Sequence, residues 1–367
     1  MKKHILINSL SGGGAERVVS SIVNSQPEKF TLVSIWNINE YDLNSEVQYT
    51  ALLNKKRFLL LDLILAFFKL LFFVKAENVK YINSHLFWAN YLNVVVSFFT
   101  KHKTYCTHCV AFESKFKKGT FSYFFHYLLC CKLLTRAYGH TFKCNDLMVS
   151  YRKIFKFRHC SVIYNPVVKK IDDDSNRIQF PFIENCKYIL CVGRFHETKN
   201  QKEIIKALKL LPENIHVIFL GDGPKLEECK NLSIRLNVSN RVHFLGHCNN
   251  PSYFYQRVSY LISGSLSEGF PNVMIEAIFH KCFPITYDCE TGPREVSSVL
   301  YTAPHVSYDK YDVYPLGVVF KSSDYLTISE AISFTLEANL EVNEVSSKFV
   351  LDALNLGKIT NSYFSLY

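Results

Sequence analysis

Two glutamates stand eight positions apart in the stretch GSLSEGFPNVMIEA, which covers residues 264–277. Glu268 precedes a Gly-Phe-Pro turn, and Glu276 falls four residues after Asn272, one turn into a helix predicted to begin near Pro271. Backbone amides at such a helix start can bind anions. A carboxylate one turn inside can accept two hydroxyl groups at once, whereas one before the turn is free to reach toward a ligand. The alternative for each glutamate is a surface carboxylate that the helix dipole stabilises.

A cationic pair lies upstream, in the stretch CVGRFHETKN. Arg194 and Lys199 are five residues apart and close to the start of a predicted helix. A guanidinium fork and an ammonium at that place suit a diphosphate, the group that leaves when a nucleotide sugar is cleaved. A solvated basic turn is the alternative.

The elements that must position these side chains follow a strand-helix order in both halves of the chain. Short apolar runs alternate with helical patterns, as in HILINSL followed by SGGGAERVVSSIVN, which is typical of parallel α/β sheets. Ligands of such sheets bind at the loops after the strands. Four of these loops contain glycine: SGGGAE, GRFHETKN, GDGP and GSLSEGFPN. The sequence therefore predicts two Rossmann-like, doubly wound domains that face each other across a cleft.

The length of 367 residues suits two domains of ordinary size. The acidic, proline-bearing stretch after YNPVV is the best boundary. We expect an N-terminal domain over residues 1–168, a linker over 169–184, and a C-terminal domain with the cationic pair and both glutamates over 185–345. The final segment, 346–367, could cross back to the N-terminal domain.

The net charge of +10 is concentrated in the first half of the chain. Residues 1–165 carry 22 Lys and Arg against 9 Asp and Glu, whereas residues 166–367 carry 20 against 23. The basic residues stand among Phe and Tyr, especially over 101–125, which favours an anionic membrane surface over a nucleic-acid duplex. No signature of a nucleic-acid-binding module accompanies them, so we expect no nucleic acid as a partner.

Residues 57–75 form an apolar run that must be considered as a membrane span. Seventeen residues lie between Arg57 and Lys75, at the lower edge of bilayer-crossing length. Asp62 and Lys69 within the run are costly in hydrocarbon, and their spacing puts them on one face of a helix. A buried or interfacial helix is therefore favoured over a true span.

The twelve cysteines occur in a long chain without a secretory signal pattern, which favours reduced thiols and a cytoplasmic location. Cys106, His108 and Cys109 have a spacing that would suit zinc. No second Cys-x-x-Cys pair completes a site, so core thiols are favoured and no metal is expected.

Seven stretches stand in the order and spacing of a known family: GGGAERVV, VIYNPV, CVGRFHETKNQ, FLGDGP, RVHFLGH, SEGFPNVMIEA and TGPREV. In these stretches the chain resembles the retaining GT-B glycosyltransferases of the group 1 type, glycosyltransferase family 4. The resemblance runs over nearly the whole chain, densely over 187–296 and sparsely over 25–160. It implies a nucleotide-sugar donor held mainly by the C-terminal domain, no metal or other cofactor, and α-glycosidic transfer with retention.

The resemblance also implies roles for individual residues of the C-terminal half. Arg194 and Lys199 match the family's diphosphate pair and count among the catalytic residues. Glu268, also counted as catalytic, matches the end of the E-x7-E motif beside the donor sugar, and Glu276 matches the end on the ribose. The turn between the two glutamates completes the donor-binding set: Gly269, Phe270, Pro271 and Asn272.

Matches in the N-terminal half are fewer. Gly12 and Gly13 correspond to the loop that approaches the donor phosphates. His108 occupies the place after a strand where the family often has a histidine facing the sugar, which would make it catalytic; a satisfied core histidine is the alternative. Cys282 departs from the family's usual glycine, and Phe283 follows it where small residues are frequent.

The resemblance implies a hexosyl- or N-acetylhexosaminyltransferase that is peripheral on the inner face of the cytoplasmic membrane. Its acceptor would be a lipid-linked glycan of a bacterial surface polysaccharide, such as O-antigen or capsule. One alternative is a nucleotide-sugar 2-epimerase of the same fold, which would not need a basic, aromatic first half. The other is a non-catalytic binding module, against which the intact Arg194, Lys199, Glu268 and Glu276 count.

Overall fold

The computed structural model describes residues 2–168, 180–248 and 250–366. The chain divides into two compact units: unit 1 comprises Met1–Val168 and Leu354–Tyr367, and unit 2 comprises Lys169–Ala353. Most of the expected linker, namely residues 169–179, lies outside the described residues. The chain returns to unit 1 at Leu354, within the final segment that the sequence placed over 346–367.

Unit 1 is built on a parallel sheet of seven strands within the described residues. The strands are β1 (Lys3–Ile7), β2 (Phe30–Trp36), β3 (Gln48–Leu53), β4 (Tyr81–His85), β5 (Lys103–His108), β6 (Gly139–Phe142) and β7 (Cys160–Val162). The helices are α1 (Gly14–Ser25), α2 (Leu59–Ala76), α3 (Phe87–Thr100), α4 (Phe112–Lys115), α5 (Phe121–Lys132), α6 (Asn145–Ile154) and, from the end of the chain, α14 (Leu356–Ser365).

The sheet of unit 1 has the order β3-β2-β1-β4-β5-β6-β7. The first six strands follow the Rossmann order, in which the direction of winding reverses between β1 and β4. Helices cover both faces, so an inner strand such as β2 is buried along its whole length and is correspondingly apolar.

Alternate residues of β1 supply two separate cores, as the two-residue period of a strand requires. Leu6 packs with buried residues of α2 and α3, such as Leu70 and Leu92. Ile5 and Ile7 point to the opposite face, where α1 and the returning helix α14 cover them. The C-terminal segment is therefore a structural part of unit 1.

Unit 2 repeats the same architecture. Its strands are β8 (Lys187–Val192), β9 (Ile215–Leu220), β10 (Val242–Phe244), β11 (Tyr260–Ser263), β12 (Phe283–Tyr287), β13 (Val306–Ser307), β14 (Tyr311–Tyr314) and β15 (Gly317–Phe320). Its helices are α7 (Gln201–Leu208), α8 (Leu226–Arg235), α9 (Ser252–Tyr255), α10 (Asn272–Phe279), α11 (Pro293–Ser297), α12 (Tyr325–Glu337) and α13 (Glu344–Ala353).

The sheet order of unit 2 is β10-β9-β8-β11-β12-β15-β14-β13. The first six strands in this order run parallel to one another. The last two, β14 and β13, extend the sheet through antiparallel pairing. The winding reverses between β8 and β11. The loops after these two strands therefore flank the switch point at which open α/β sheets bind ligands.

Helix α2 corresponds to the apolar run that the sequence raised as a possible span. Asp62 is buried, and its carboxylate accepts hydrogen bonds from Trp36 Nε1 and from the Arg57 backbone N–H, both at 2.9 Å. Lys69 lies near the same margin of the helix but points to solvent. No helix in the described part of the chain is both long and apolar enough to cross a membrane.

Candidate active site

Two loops of unit 2 meet through an ion pair between their side chains. Lys199 lies in a short 3-10 turn, Glu197–Lys199, after β8, and Glu268 lies in the loop after β11. Lys199 Nζ is 2.5 Å from Glu268 Oε1, and the two side chains are 31% and 16% exposed. The structure thus brings together two residues that the sequence assigned to one site, at the expected switch point of the sheet.

The backbone that carries Arg194 is held by the GDGP loop. Phe195 N–H donates to the Asp222 carbonyl at 2.9 Å, and Gly193 N–H donates to the Leu220 carbonyl at 2.9 Å. A β-carbon at Gly221 would overlap the Gly193 carbonyl. Glycine is therefore needed for close backbone approach, and GDGP supports the site.

The Arg194 side chain is exposed, whereas its backbone is fixed. The Arg194 carbonyl accepts a hydrogen bond from Gln201 Nε2 at 3.1 Å. Within residues 2–168, 180–248 and 250–366, no carboxylate forms an ion pair with Arg194. Its guanidinium is therefore available for an anionic ligand on the loop that also carries Lys199.

The backbone of the Glu268 loop is held by the TGPREV stretch. The buried hydroxyl of Thr291 donates to the Glu268 carbonyl. Gly292 has a positive φ of +101°, and a β-carbon there would come within 2.6 Å of Pro271 Cδ. Thr291 and Gly292 were not assigned a role from the sequence, although TGPREV belonged to the resembling stretches.

Helix α10 begins at Asn272, one residue after the predicted start near Pro271, and it places Glu276 one turn inside. Glu276 is half-buried, and Tyr255 Oη donates to its Oε2 at 3.4 Å. The sequence gave no signal for Tyr255, because the pairing depends on how α9 packs beside α10. In the turn before the helix, Gly269, Phe270 and Pro271 are buried and Asn272 is half-buried.

The remaining predicted donor-binding residues, Gly12 and Gly13, lie in unit 1, in the loop between β1 and α1. The Glu16 carboxylate lies where a β-carbon of Gly13 would be, and Glu40 Oε2 lies 2.7 Å from the β-carbon position of Gly12. Burial raises the pKa of the Glu16 carboxyl, and the charge of Glu40 adds to this. Two carboxylates that were not predicted from the sequence therefore lie beside this loop.

His108 lies in the packed interior of unit 1. His108 ends β5 and is only 2% exposed. Its Nε2 lies 3.0 Å from His140 Nδ1, and its ring stacks with those of Phe142 and Phe157. Burial lowers the pKa of His108 well below its usual value. A ring enclosed by this aromatic cluster of unit 1 fits the core alternative, and the catalytic role of His108 stays a prediction.

A buried lysine that was not predicted from the sequence follows β6. Lys143 is 1% exposed, and its ammonium donates a hydrogen bond to the Tyr363 hydroxyl of α14. His85 stacks on Tyr363 at 5.7 Å between ring centroids. Burial lowers the pKa of Lys143 to about 8, an effect that Cys109 partly opposes. An apolar-flanked lysine at a strand end gives no signal of burial in the sequence.

All twelve cysteines are thiols. Cys106 is enclosed in the core, and burial raises its pKa to about 12. Among the residues that the structure describes, no three His, Cys, Asp or Glu side chains are grouped to hold a metal ion. Cys282 is buried, and its N–H donates to the Ala277 carbonyl at 2.8 Å, so it is part of the turn that ends α10.

Comparison with known families adds to this geometry. Residues 172–311 match the model of the family Glycosyl transferases group 1. The matched range contains Arg194, the Lys199–Glu268 pair, Glu276 and the TGPREV stretch.

Two relatives illustrate the similarity in sequence. Over 213 residues the chain is 30% identical to an uncharacterized glycosyltransferase of Methanocaldococcus jannaschii, and the alignment covers 53% of this chain and 52% of that protein. Over 312 residues it is 25% identical to the N-acetylgalactosamine-N,N'-diacetylbacillosaminyl-diphospho-undecaprenol 4-alpha-N-acetylgalactosaminyltransferase of Campylobacter jejuni, covering 80% of this chain and 83% of that protein. The chain thus spans about half of the first relative and most of the second.

The fold is also found in solved structures. HepE of Anabaena, solved in complex with UDP and glucose, matches with a TM-score of 0.76 at 15% identity over 99% of this chain and 98% of that chain. The two parallel-sheet α/β units are those of the GT-B fold, which confirms the fold class predicted from the sequence.

Proposed function

We propose that the protein is a retaining glycosyltransferase that moves a hexosyl or N-acetylhexosaminyl group from a nucleoside-diphosphate sugar to a lipid-linked glycan. The observation that carries the proposal is the Lys199–Glu268 pair at the switch point of unit 2, beside the available Arg194. This loop pair combines cations for a diphosphate with a carboxylate for sugar hydroxyls. The match of residues 172–311 to group 1 glycosyl transferases supports it.

The reaction follows from these charges. Arg194 and Lys199 bind the diphosphate and stabilise the negative charge that grows on it as the bond between the sugar C1 and the phosphate oxygen breaks. The bonding electron pair leaves with the diphosphate. The acceptor hydroxyl forms a new bond to C1 on the same face, and its proton passes to the departing diphosphate. This front-face transfer preserves the configuration at C1 without a protein nucleophile.

Glu268 has two roles in this scheme. Without donor, its carboxylate balances the ammonium of Lys199 across 2.5 Å. When a diphosphate takes over Lys199, Glu268 becomes free to accept hydrogen bonds from the donor sugar. Glu276 on α10 receives the ribose hydroxyls, and Tyr255 orients its carboxylate from the side.

The acceptor class and the cellular location rest on different support. The Campylobacter jejuni relative is named for a diphospho-undecaprenol acceptor. The basic first half of this chain fits a bilayer that carries such a lipid. We therefore place the enzyme on the inner face of the cytoplasmic membrane, in the assembly of a surface polysaccharide such as O-antigen or capsule.

Incubation with a panel of nucleotide sugars, with and without lipid-linked glycan, tests the proposed function. Release of free nucleoside diphosphate only when both substrates are present supports a transferase. Conversion of the nucleotide sugar to its 2-epimer in the absence of acceptor would indicate a 2-epimerase. Binding of the nucleotide sugar without turnover would indicate a non-catalytic module. Either of these results would overturn the proposal.

A chelator should leave the rate of transfer largely unchanged. In the proposed mechanism Arg194 and Lys199 neutralise the diphosphate, so no divalent cation is required for that role. The measurement compares initial rates in EDTA with rates in added magnesium or manganese. Loss of activity in EDTA and its recovery with metal would contradict the assignment of the two cations.

A further inference from the structure

Helix α2 presents an apolar face to solvent. Six of its outward side chains are between 48% and 76% exposed: Phe58 (at the N-cap), Leu60, Leu61, Ile64, Phe68 and Phe72. They lie opposite the stripe of Ala66, Leu70 and Val74 that packs into the core of unit 1. A helix that is apolar all round is normally buried on all sides, yet this one is covered on one side only.

The apolar face extends along the same layer of helices. Phe99, at the end of α3, is 60% exposed and lies 5.5 Å from Phe67 of α2 between ring centroids. At the start of α5, Phe121 is 83% and Phe124 is 61% exposed. The helices α2, α3 and α5 connect parallel strands that succeed each other in one direction across the sheet, so right-handed crossovers put all three on one face.

The carboxylate of α2 is withdrawn from this face. Asp62 points inward to Trp36 Nε1 and to the Arg57 N–H, so it exposes no negative charge among the apolar side chains. The charges that remain exposed on α2 are those of Lys69 and Lys75. Lys55, Lys56 and Arg57, just before the helix, are exposed too. Glu77, at the C-cap, is exposed as well, so the margin of the apolar face is mostly basic. Such a face is complementary to anionic lipid headgroups over acyl chains.

Only part of the basic-aromatic stretch over 101–125 lies at the surface of unit 1. Residues 103–108 form the inner strand β5, whose side chains are buried from Thr104 onward. Lys118 forms an ion pair with Glu113 at 2.9 Å. The exposed apolar side chains come from α2, the end of α3 and the start of α5, so apolar contact outweighs charge on this surface.

We propose that the outward face of α2, together with the start of α5, is an interfacial membrane-binding surface that inserts apolar side chains into the headgroup–acyl boundary of an anionic bilayer. Helix α2 follows the parallel strand β3, and α5 follows the parallel strand β5 after the short helix α4. Both helices therefore begin on the side of the carboxyl edge of the sheet of unit 1. A bilayer bound there lies next to the edge at which α/β sheets bind ligands. That this serves a lipid-borne acceptor rests on the proposed function, whereas the surface itself does not.

Vesicle co-sedimentation with the full chain tests the surface. The double variant Phe68→Ser/Phe72→Ser removes two aromatic rings one turn apart on α2. The matched control, Val345→Ser/Phe349→Ser, changes two residues one turn apart on α13 of unit 2 that are 81% and 55% exposed. Using vesicles of phosphatidylcholine and phosphatidylglycerol, we expect the α2 variant to partition at least roughly tenfold more weakly, because it lacks two exposed rings that insertion would bury in the bilayer. The control should bind like the wild type.

Raised salt separates insertion from pure charge attraction. The wild type should keep most of its binding at high ionic strength, since only the electrostatic part is screened. Equal partitioning of the α2 variant and the control, or full release of the wild type by salt, would overturn the proposal. So would a dimer of the wild type that dissociates in the α2 variant without any difference in vesicle binding, because a second copy would then cover the face.

A water-soluble acceptor distinguishes failure of the surface from failure of the proposed function. The α2 variant should transfer sugar to a short-chain, soluble acceptor at the wild-type rate and lose rate only with vesicle-borne acceptor. If the wild type transfers to neither acceptor, the proposed function fails while the vesicle result still stands.

Discussion

Replacing Lys199 with alanine should lower the turnover number by roughly 10²-fold or more, the scale of losing one charge-stabilising donor. The Lys199 ammonium is partly buried and lies 2.5 Å from Glu268. Its loss removes a cation from the leaving diphosphate and also leaves Glu268 without its counter-charge. The Arg194→Ala variant should lose turnover on the same scale, because its exposed guanidinium meets the same group. Steady-state kinetics with the preferred donor and acceptor measure both effects.

Lys206→Ala is the matched control for these variants. Lys206 lies on α7, also after β8, and its ammonium is 2.6 Å from the carboxylate of Glu203. This pair is also a lysine–glutamate pair, but it lies within one helix and does not join the two loops of the site. Loss of an exposed pair of this kind changes stability by less than about 1 kcal/mol and should not touch turnover. Near-normal turnover in both Lys199→Ala and Arg194→Ala would remove the diphosphate assignment.

The free energy of unfolding should carry a contribution from Lys143 that rises by roughly 3 kcal/mol between pH 8 and pH 10.5. Burial lowers the pKa of this lysine to about 8 in the folded protein, from 10.5 in the unfolded chain. Below pH 8 both states are charged, and the folded state bears the full cost of the buried ammonium. Above pH 8 the folded state loses its proton first, so stability increases until the unfolded chain also deprotonates.

Comparison with Lys143→Met isolates this contribution, because the cysteines and tyrosines titrate in both proteins. Denaturant unfolding at pH 7.5 and at pH 10.5 should give a stability difference between the two proteins that shifts toward the wild type at the higher pH. At pH 7.5 the variant gains from the removal of a buried charge. The same stability difference at both pH values would contradict the burial of a charged Lys143.

The sequence predicted the fold well because parallel α/β sheets are encoded locally. Apolar strands such as HILI and the helical runs after them fix the order of elements, and the glycine loops mark the strand ends. The loops that carry Lys199 and Glu268 were expected at one site for this reason. The ion pair between Lys199 and Glu268 was not predicted, because it requires β8 and β11 to be neighbours in the sheet. The order of strands in a sheet does not follow from local sequence patterns.

Other residues could not be placed because one pattern fits two environments. His108 ends a strand, and both a core histidine and a ligand-facing one occur there. The packing of Phe142 and Phe157 on its ring is a tertiary contact that no local pattern reveals. The local sequence around Lys143 does not distinguish it from an exposed polar residue at a strand end. Residues 57–75 are apolar on every side, so their hydropathy does not show which face the sheet covers. Thr291 and Gly292 act through the backbone of another loop, which no local pattern reveals.

The configuration of the new glycosidic bond tests the proposed transfer most directly. The wild type is incubated with an α-configured nucleoside-diphosphate sugar and a lipid-linked glycan, and the anomeric coupling of the product is measured by NMR. We expect an α-linkage that forms only with acceptor present and that falls roughly 10²-fold in rate in the Lys199→Ala variant. A β-linkage, or release of nucleoside diphosphate at the same rate without acceptor, would contradict retaining transfer at this site.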